Sequence, residues 1–166
     1  MKCKDFLNES VKTTVQPETK DDLKKIIEDT IEDYGYHCDL NFIDTSKITD
    51  MSYLFCGSNF NGDISQWDVS KVKDMTSMFY KSKFNGDISM WNVSKVKDMN
   101  SMFKGSKFNG DISQWDVSKV KDMRYMFCNS KFNQDISKWD VSNVEKLEGM
   151  FKNSLLEGHE PKWYFN

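Results

Sequence analysis

Several features are missing from this 166-residue chain, and each absence removes a class of protein. No apolar run approaches the ~20 residues that cross a bilayer, so no membrane insertion is expected. The first ten residues, MKCKDFLNES, carry no apolar stretch of the secretory type, and Cys3 follows no apolar run that would mark a lipid-attachment cysteine. The expected location is therefore cytoplasmic, or surface or secreted if a leader has been removed. A basic surplus is also missing. Net charge is −3, with six Lys against nine acidic residues in 1–38 and 17 of each sign in 39–166. Nucleic-acid binders cluster basic residues on one face, so no nucleic acid is expected as a partner. The four cysteines, Cys3, Cys38, Cys56 and Cys128, form no CxxC pair, and unpaired thiols suit a reducing compartment.

What is present is repetition. WDVSKVKDMTSMF at Trp67–Phe79 has near-copies starting at Trp91, Trp115 and Trp139, and Trp67, Trp91, Trp115, Trp139 and Trp163 lie 24 residues apart. A fixed period of this length marks a stacked array. The array starts with DLNFIDTSKITDMSYLF at Asp39, where Ile43 stands in place of Trp and Thr45 in place of Val. It drifts near Glu145–Gly149 and ends in Trp163-Tyr164-Phe165-Asn166, an aromatic stretch placed to close the far face.

Within the unit 60–83, Asn61-Gly62 is a turn signal because both residue types tolerate positive φ. Ile64, Trp67 and Val69 have the L-x-x-L-x-L spacing of a leucine-rich-repeat strand, with Trp67 and Val69 inward and Gln66 and Asp68 outward. Val72, Met75, Met78 and Phe79 recur every three to four positions, which predicts a helical or 3₁₀ segment with Ser70 as its cap. One unit is too small to offset its own ordering entropy, so stability must come from stacking. Cys56 and Cys128 fall three units apart; at ~4.8 Å per rung they are too distant for a disulfide, which needs Cα atoms within about 7 Å.

Upstream, VKTTV at Val11–Val15 reads as a short strand. Residues 18–34 read as a helix with Thr19 as N-cap, Asp22 in a loose capping box, and an apolar stripe of Leu23, Ile26, Ile27, Ile31 and Tyr34. Gly35 is placed to end it. The organisation expected is one structural domain, with residues 1–38 as N-terminal segment and capping helix and 39–166 as repeat array and C-terminal cap. The fold class expected is an α/β repeat solenoid, right-handed and leucine-rich-repeat-like, with short parallel strands and an N-terminal helical cap.

Little supports catalysis. His37 abuts Cys38, and His159 lies beside Glu160; neither pair has the spacing of a nucleophile and its base. The stacked aspartates Asp63, Asp87, Asp111 and Asp135, and Asp74, Asp98 and Asp122, resemble an oxygen-rich calcium site, but they read better as turn and helix-start caps. No cofactor, metal or catalytic residue is assigned. The informative positions are the outward ones: Gln66, Met90, Gln114 and Lys138, then Asp68, Asn92, Asp116 and Asp140. Arrays of this kind bind along their extended face, so these eight are the expected partner-binding residues.

The pattern F-N-x-D-I-S followed by W-D-V-S-x-V-x-x-M-x-x-M-F resembles the BspA-like leucine-rich-repeat family, including the repeat of mycoplasma lipoproteins of unassigned function. The resemblance covers 39–163, and PETKDDLKKIIEDTIEDYG is similar to the segment preceding such repeats in bacterial members. It implies bacterial surface proteins that bind host or matrix proteins, with no catalytic residues to transfer. The function expected is a non-enzymatic protein-interaction module with an unidentified protein partner, as monomer or edge-paired homodimer. A surface adhesin is the alternative, and a small hydrolase or redox protein using Cys38 or His37 is the less favoured one.

Overall fold

In the computed structural model, residues 14–165 are described. The helix α1 spans Lys20–Tyr34. Thr19 and Asp22 form a reciprocal capping box, with Asp22 N–H donating to Thr19 Oγ1 at 3.1 Å and Thr19 N–H donating to Asp22 Oδ2 at 3.0 Å. Gly35, at φ 84°, donates its N–H to Ile31 O and ends the helix. Leu23, Ile27 and Thr30 are buried, while Ile26 and Ile31 pack partly against the same core. The carboxylates late in the helix are offset by Lys24–Glu28 and Lys25–Asp29 pairs one turn apart. Lys20 Nζ reaches down to Asp50 and Ser52 and ties α1 to the first repeat unit.

Beyond α1 the expected α/β solenoid with parallel strands is not what the chain builds. Among the described residues there is no strand, only isolated parallel bridges such as Asp50–Asp74, Asp74–Asp98, Asp98–Asp122 and Asp122–Lys146. A lone bridge, Val15–Ile43, occupies the end of the strand expected at 11–15; residues 11–13 lie outside the described residues.

The cause is a bend every few residues. Ser65 N–H donates to Asp63 Oδ1, Ser70 N–H to Asp68 Oδ1, Thr76 N–H to Asp74 Oδ1, and Phe84 N–H to Ser82 Oγ. Each of these side chains closes a turn on its own backbone. Between them, Trp67 N–H returns to Ile64 O and Val72 N–H to Val69 O. Trp67 and Val69 are buried and Gln66 and Asp68 exposed, so the apolar alternation is real, but turns produce it rather than an extended strand.

The expected helical or 3₁₀ segment after Ser70 is also replaced. Ser77 and Lys81 sit at φ 54° and 53°, and every unit repeats this left-handed pair: Tyr53 and Gly57, Ser101 and Gly105, Tyr125 and Asn129, Gly149 and Asn153. A right-handed helix cannot pass through such residues. The chain zigzags instead. Met78 N–H returns to Met75 O within the unit, while Met75, Ser77, Phe79 and Lys81 send their N–H groups to Asp98, Asn100, Met102 and Lys104 of the next unit at 2.8–2.9 Å. A 3₁₀ turn does occur at Lys162–Phe165.

Stacking in register fills the interior. Phe55, Phe79, Phe103, Phe127 and Phe151 form one ring column with neighbouring centroids 5.6–5.9 Å apart. Phe60, Phe84, Phe108 and Phe132 form a second at 6.2–6.3 Å. Each Trp indole donates to a carbonyl one unit back: Trp67 to Leu40, Trp91 to Ile64, Trp115 to Ile88, Trp139 to Ile112 and Trp163 to Ile136, all at 3.0–3.2 Å.

The Asn-Gly turn is explained differently from its sequence reading. Neither Asn61 nor Gly62 has positive φ. Gly62 is required by space, since a Cβ there would lie 2.0 Å from Cys38 O and 2.8 Å from the Phe60 ring. Cys38, Cys56 and Cys128 are free thiols.

Two stability predictions follow from the register and the left-handed pairs. Trp115→Phe keeps a ring in the stack but removes the indole donor from the Ile88 carbonyl, which retains only the Trp91 N–H, and should cost about 0.5–1.5 kcal/mol in urea unfolding. Lys81 occupies a left-handed site that Gly57 and Gly105 fill elsewhere, so Lys81→Gly should stabilise by about 0.5–1 kcal/mol. A loss of stability in Lys81→Gly would show that the strain assigned to Lys81 is absent.

Candidate binding surface

The eight residues expected to meet a partner are all exposed. They do not lie on a strand face. Gln66, Met90, Gln114 and Lys138 occupy corners, each between an Asp-capped turn and the tight turn closed by the following Trp N–H, as in Trp91 N–H to Ile88 O at 3.2 Å. Asp68, Asn92, Asp116 and Asp140 open the next corner, each accepting from the N–H of a serine two residues on. The two columns form one edge along the array, and Met90, with 87% of its surface exposed, projects from it. Between the third and fourth positions along this edge is a small hollow of about 190 Å³, bordered by Asp111, Ser113, Gln114, Gln134, Asp135 and Lys138.

The edge carries mostly negative charge. Asp63, Asp87, Asp111 and Asp135 precede the Gln/Met column, and Asp68, Asp116 and Asp140 follow it. Turn hydrogen bonds favour the ionised form of Asp63, Asp87, Asp111, Asp116, Asp135 and Asp140. The Ser65 N–H beside Asp63 and the Ser89 N–H beside Asp87 keep both carboxyls below their usual range, although Asp63 and Asp111 push back on Asp87. The Ser118 hydroxyl and N–H do the same for Asp116, and those of Ser142 for Asp140. Asn92 fills the same column and makes the same turn with Ser94 without a charge.

Asp122 is a separate case. It is buried, which alone would raise its pKa, but the Arg124 guanidinium and the Arg124 N–H outweigh this and lower it. Arg124 Nη2 lies 2.6 Å from Asp122 Oδ2, with Lys146 Nζ at 3.7 Å. These carboxylates are turn and pairing groups, and among the described residues no three His, Cys, Asp or Glu side chains converge as a metal cage would require.

The reactive residues considered in the sequence are held in other ways. Burial pushes the Cys38 thiol up, and Asp39 adds to this, the wrong direction for a nucleophilic thiolate. His37 Nδ1 meets the Asn61 carbonyl at 3.2 Å rather than a thiol, and His159 is exposed near the end of the chain.

Sequence reading missed one feature, a hollow of about 510 Å³ bordered by Tyr36, His37, Asn59, Asn61, Lys83 and Lys107. Its signal was the 24-residue phase itself. Asn59, Lys83, Lys107 and Lys131 form one column, and His37 stands one period before Asn61. Starting the array at Asp39 left Tyr36 and His37 outside it.

The molecule is thus a turn-built repeat array presenting side-chain columns from its corners. The chain matches the model of the family described as Mycoplasma protein of unknown function, DUF285, over residues 22–129 and again over 104–163. It belongs to that family. No curated protein and no solved structure matches it.

The lowered carboxyl pKa values fix a pH dependence. A group whose folded pKa lies below its unfolded value adds stability above the unfolded value, ~3.9 for Asp, and loses it as pH falls through the folded one. The urea midpoint should therefore be flat from pH 7 to about pH 5 and fall below about pH 4. Asp87→Asn should keep its turn, as Asn92 does, and soften that fall. A midpoint unchanged down to about pH 2.5 would refute this assignment.

Proposed function

We propose that this protein is a non-enzymatic binding module, and that it engages a protein partner along the corner edge that carries Gln66, Met90, Gln114 and Lys138. The supporting observation is the contrast between columns. Inward positions repeat with little change from unit to unit, whereas this outward column changes at nearly every step and places the highly exposed Met90 between two acidic columns. An exposed thioether on a rigid edge offers an adaptable apolar contact, and the flanking carboxylates favour a basic partner surface through charge complementarity. The partner chemistry is accordingly a basic protein segment with enough methylene surface to cover Met90. Asp68, Asn92, Asp116 and Asp140 form the second line of contact.

The test is affinity capture with a pair of baits. One is the wild-type chain; the other carries Gln66→Lys, Met90→Lys and Gln114→Lys, with its fold checked by circular dichroism. A basic protein retained by the first at low salt, and lost at least tenfold from the second, is the expected outcome. Equal retention by both folded baits would move the contact off this edge.

A further inference from the structure

The hollow beside Tyr36 lies outside the binding edge and has different chemistry. Its border is cationic and aromatic: Lys83, Lys107, His37 and Tyr36, with the amides of Asn59 and Asn61, and no carboxylate. At about 510 Å³ it falls within the ~300–1,000 Å³ of sites that hold a small organic ligand, and it is larger than a lone ion requires.

Its frame is rigid. Asn61 N–H donates to Tyr36 O at 2.8 Å, and Lys83 and Lys107 donate their N–H groups to Ser58 and Ser82 at 3.0 and 3.1 Å. Below them an asparagine ladder runs from unit to unit, with Asn85 N–H on Asn61 Oδ1 and Asn109 N–H on Asn85 Oδ1 at 2.8 and 2.7 Å. His37 occupies the rung before Asn61. Because a carbonyl can only accept, the contact with Asn61 O requires the proton on His37 Nδ1, leaving Nε2 free for a further contact.

The two lysines stand in one column, one unit apart. The next column shows that step, with the Phe84 and Phe108 rings 6.3 Å apart between centroids. Neither lysine is in an ion pair among the described residues, unlike Lys20, Lys47 or Lys121. Both lysines border the hollow, and an anion placed in it would be drawn to two positive charges at once. Tyr36 is 48% exposed and offers a ring face as a platform. On its other side Glu28 and Glu32 border a second hollow, which turns an anion away there and confines it to the lysine side. Lys131 extends the column by one more unit.

An aromatic platform, side-chain amides and lysines at regular steps along the stack together fit a ring-shaped ligand that carries anions and repeats. We infer that this hollow is a binding site for an acidic oligosaccharide. One sugar rests on Tyr36, the carboxylate or sulphate groups lie on Lys83 and Lys107, and hydroxyls meet Asn59, Asn61 and His37 Nε2.

Isothermal titration of the full chain at low salt tests this with four probes: a heparin-derived hexasaccharide, a hexagalacturonate, neutral maltohexaose and a six-nucleotide thymidine oligomer. Binding is expected for at least one of the two acidic sugars, with a loss of about tenfold when salt is raised tenfold. Binding of both assigns the site to carboxylates as well as sulphate esters; binding of heparin alone restricts it to sulphates. Lys83→Gln with Lys107→Gln should weaken binding at least tenfold. Tyr36→Ala, which leaves every charge in place, should weaken it several-fold. Lys95→Gln with Lys97→Gln should leave it within twofold. The assignment is overturned if neither acidic sugar binds, or if maltohexaose or the thymidine oligomer binds equally well. It is also overturned if the Lys95/Lys97 variant loses as much as the Lys83/Lys107 variant.

Discussion

Everything in this molecule depends on each unit finding its equivalent 24 residues away. A ring at Phe79 packs on Phe55 and Phe103, an indole at Trp115 donates to Ile88, and the N–H groups of Met99, Ser101, Phe103 and Gly105 reach Asp122, Arg124, Met126 and Cys128. None of these contacts can form within one unit. The cost of ordering is met jointly, and slipping the register by a single residue would separate ring from ring and donor from acceptor along the whole array. This explains why the buried columns vary so little, while the exposed column of Gln66, Met90, Gln114 and Lys138, whose side chains take no part in the stack, changes from unit to unit.

The same dependence explains how a chain with so little regular secondary structure is held together. Side chains that close turns locally usually compete with helix and sheet. Here they are placed at each corner, so the backbone is bent by Asp63, Asp68, Asp74 and Ser82 before a strand or helix can extend. The left-handed pairs finish the work by directing alternate N–H groups inward to the unit and onward to the next. The strain at Ser77 or Tyr125 is tolerated because neighbours above and below hold the conformation in place.

Much of this was legible in the residues. The period, the buried columns and the helix over Lys20–Tyr34 with its Thr19–Asp22 box could be read from spacing alone, because spacing reports which side chains face the core. The path of the backbone between those side chains could not. Ile64, Trp67 and Val69 have the same apolar pattern whether they sit on a strand or on two successive turns, and the difference lies in where Asp63 and Asp68 send their carboxylates. Ser77 and Lys81 give no hint of positive φ, since neither residue type favours it. At the surface, the outward columns were readable as columns. The hollow at Tyr36 was not, because it joins the segment after α1 to three successive units and exists only once they are stacked.

The N–H groups that leave Met75, Ser77, Phe79 and Lys81 all point toward the following unit, as do those of Met99, Ser101, Phe103 and Gly105; a smaller set, among them Asn61, Asp63, Lys97 and Lys107, points back. Peptide dipoles aligned head to tail add up, so the stack carries a net dipole along its length although it is not a helix. Its sense is opposite to that of a helix. In a helix the hydrogens face the N-terminus; here they face the C-terminal side, and positive potential gathers there. Glu157 sits at that side with Oε2 accepting the Asn153 N–H at 3.0 Å, a negative charge placed where the field of the whole array favours it.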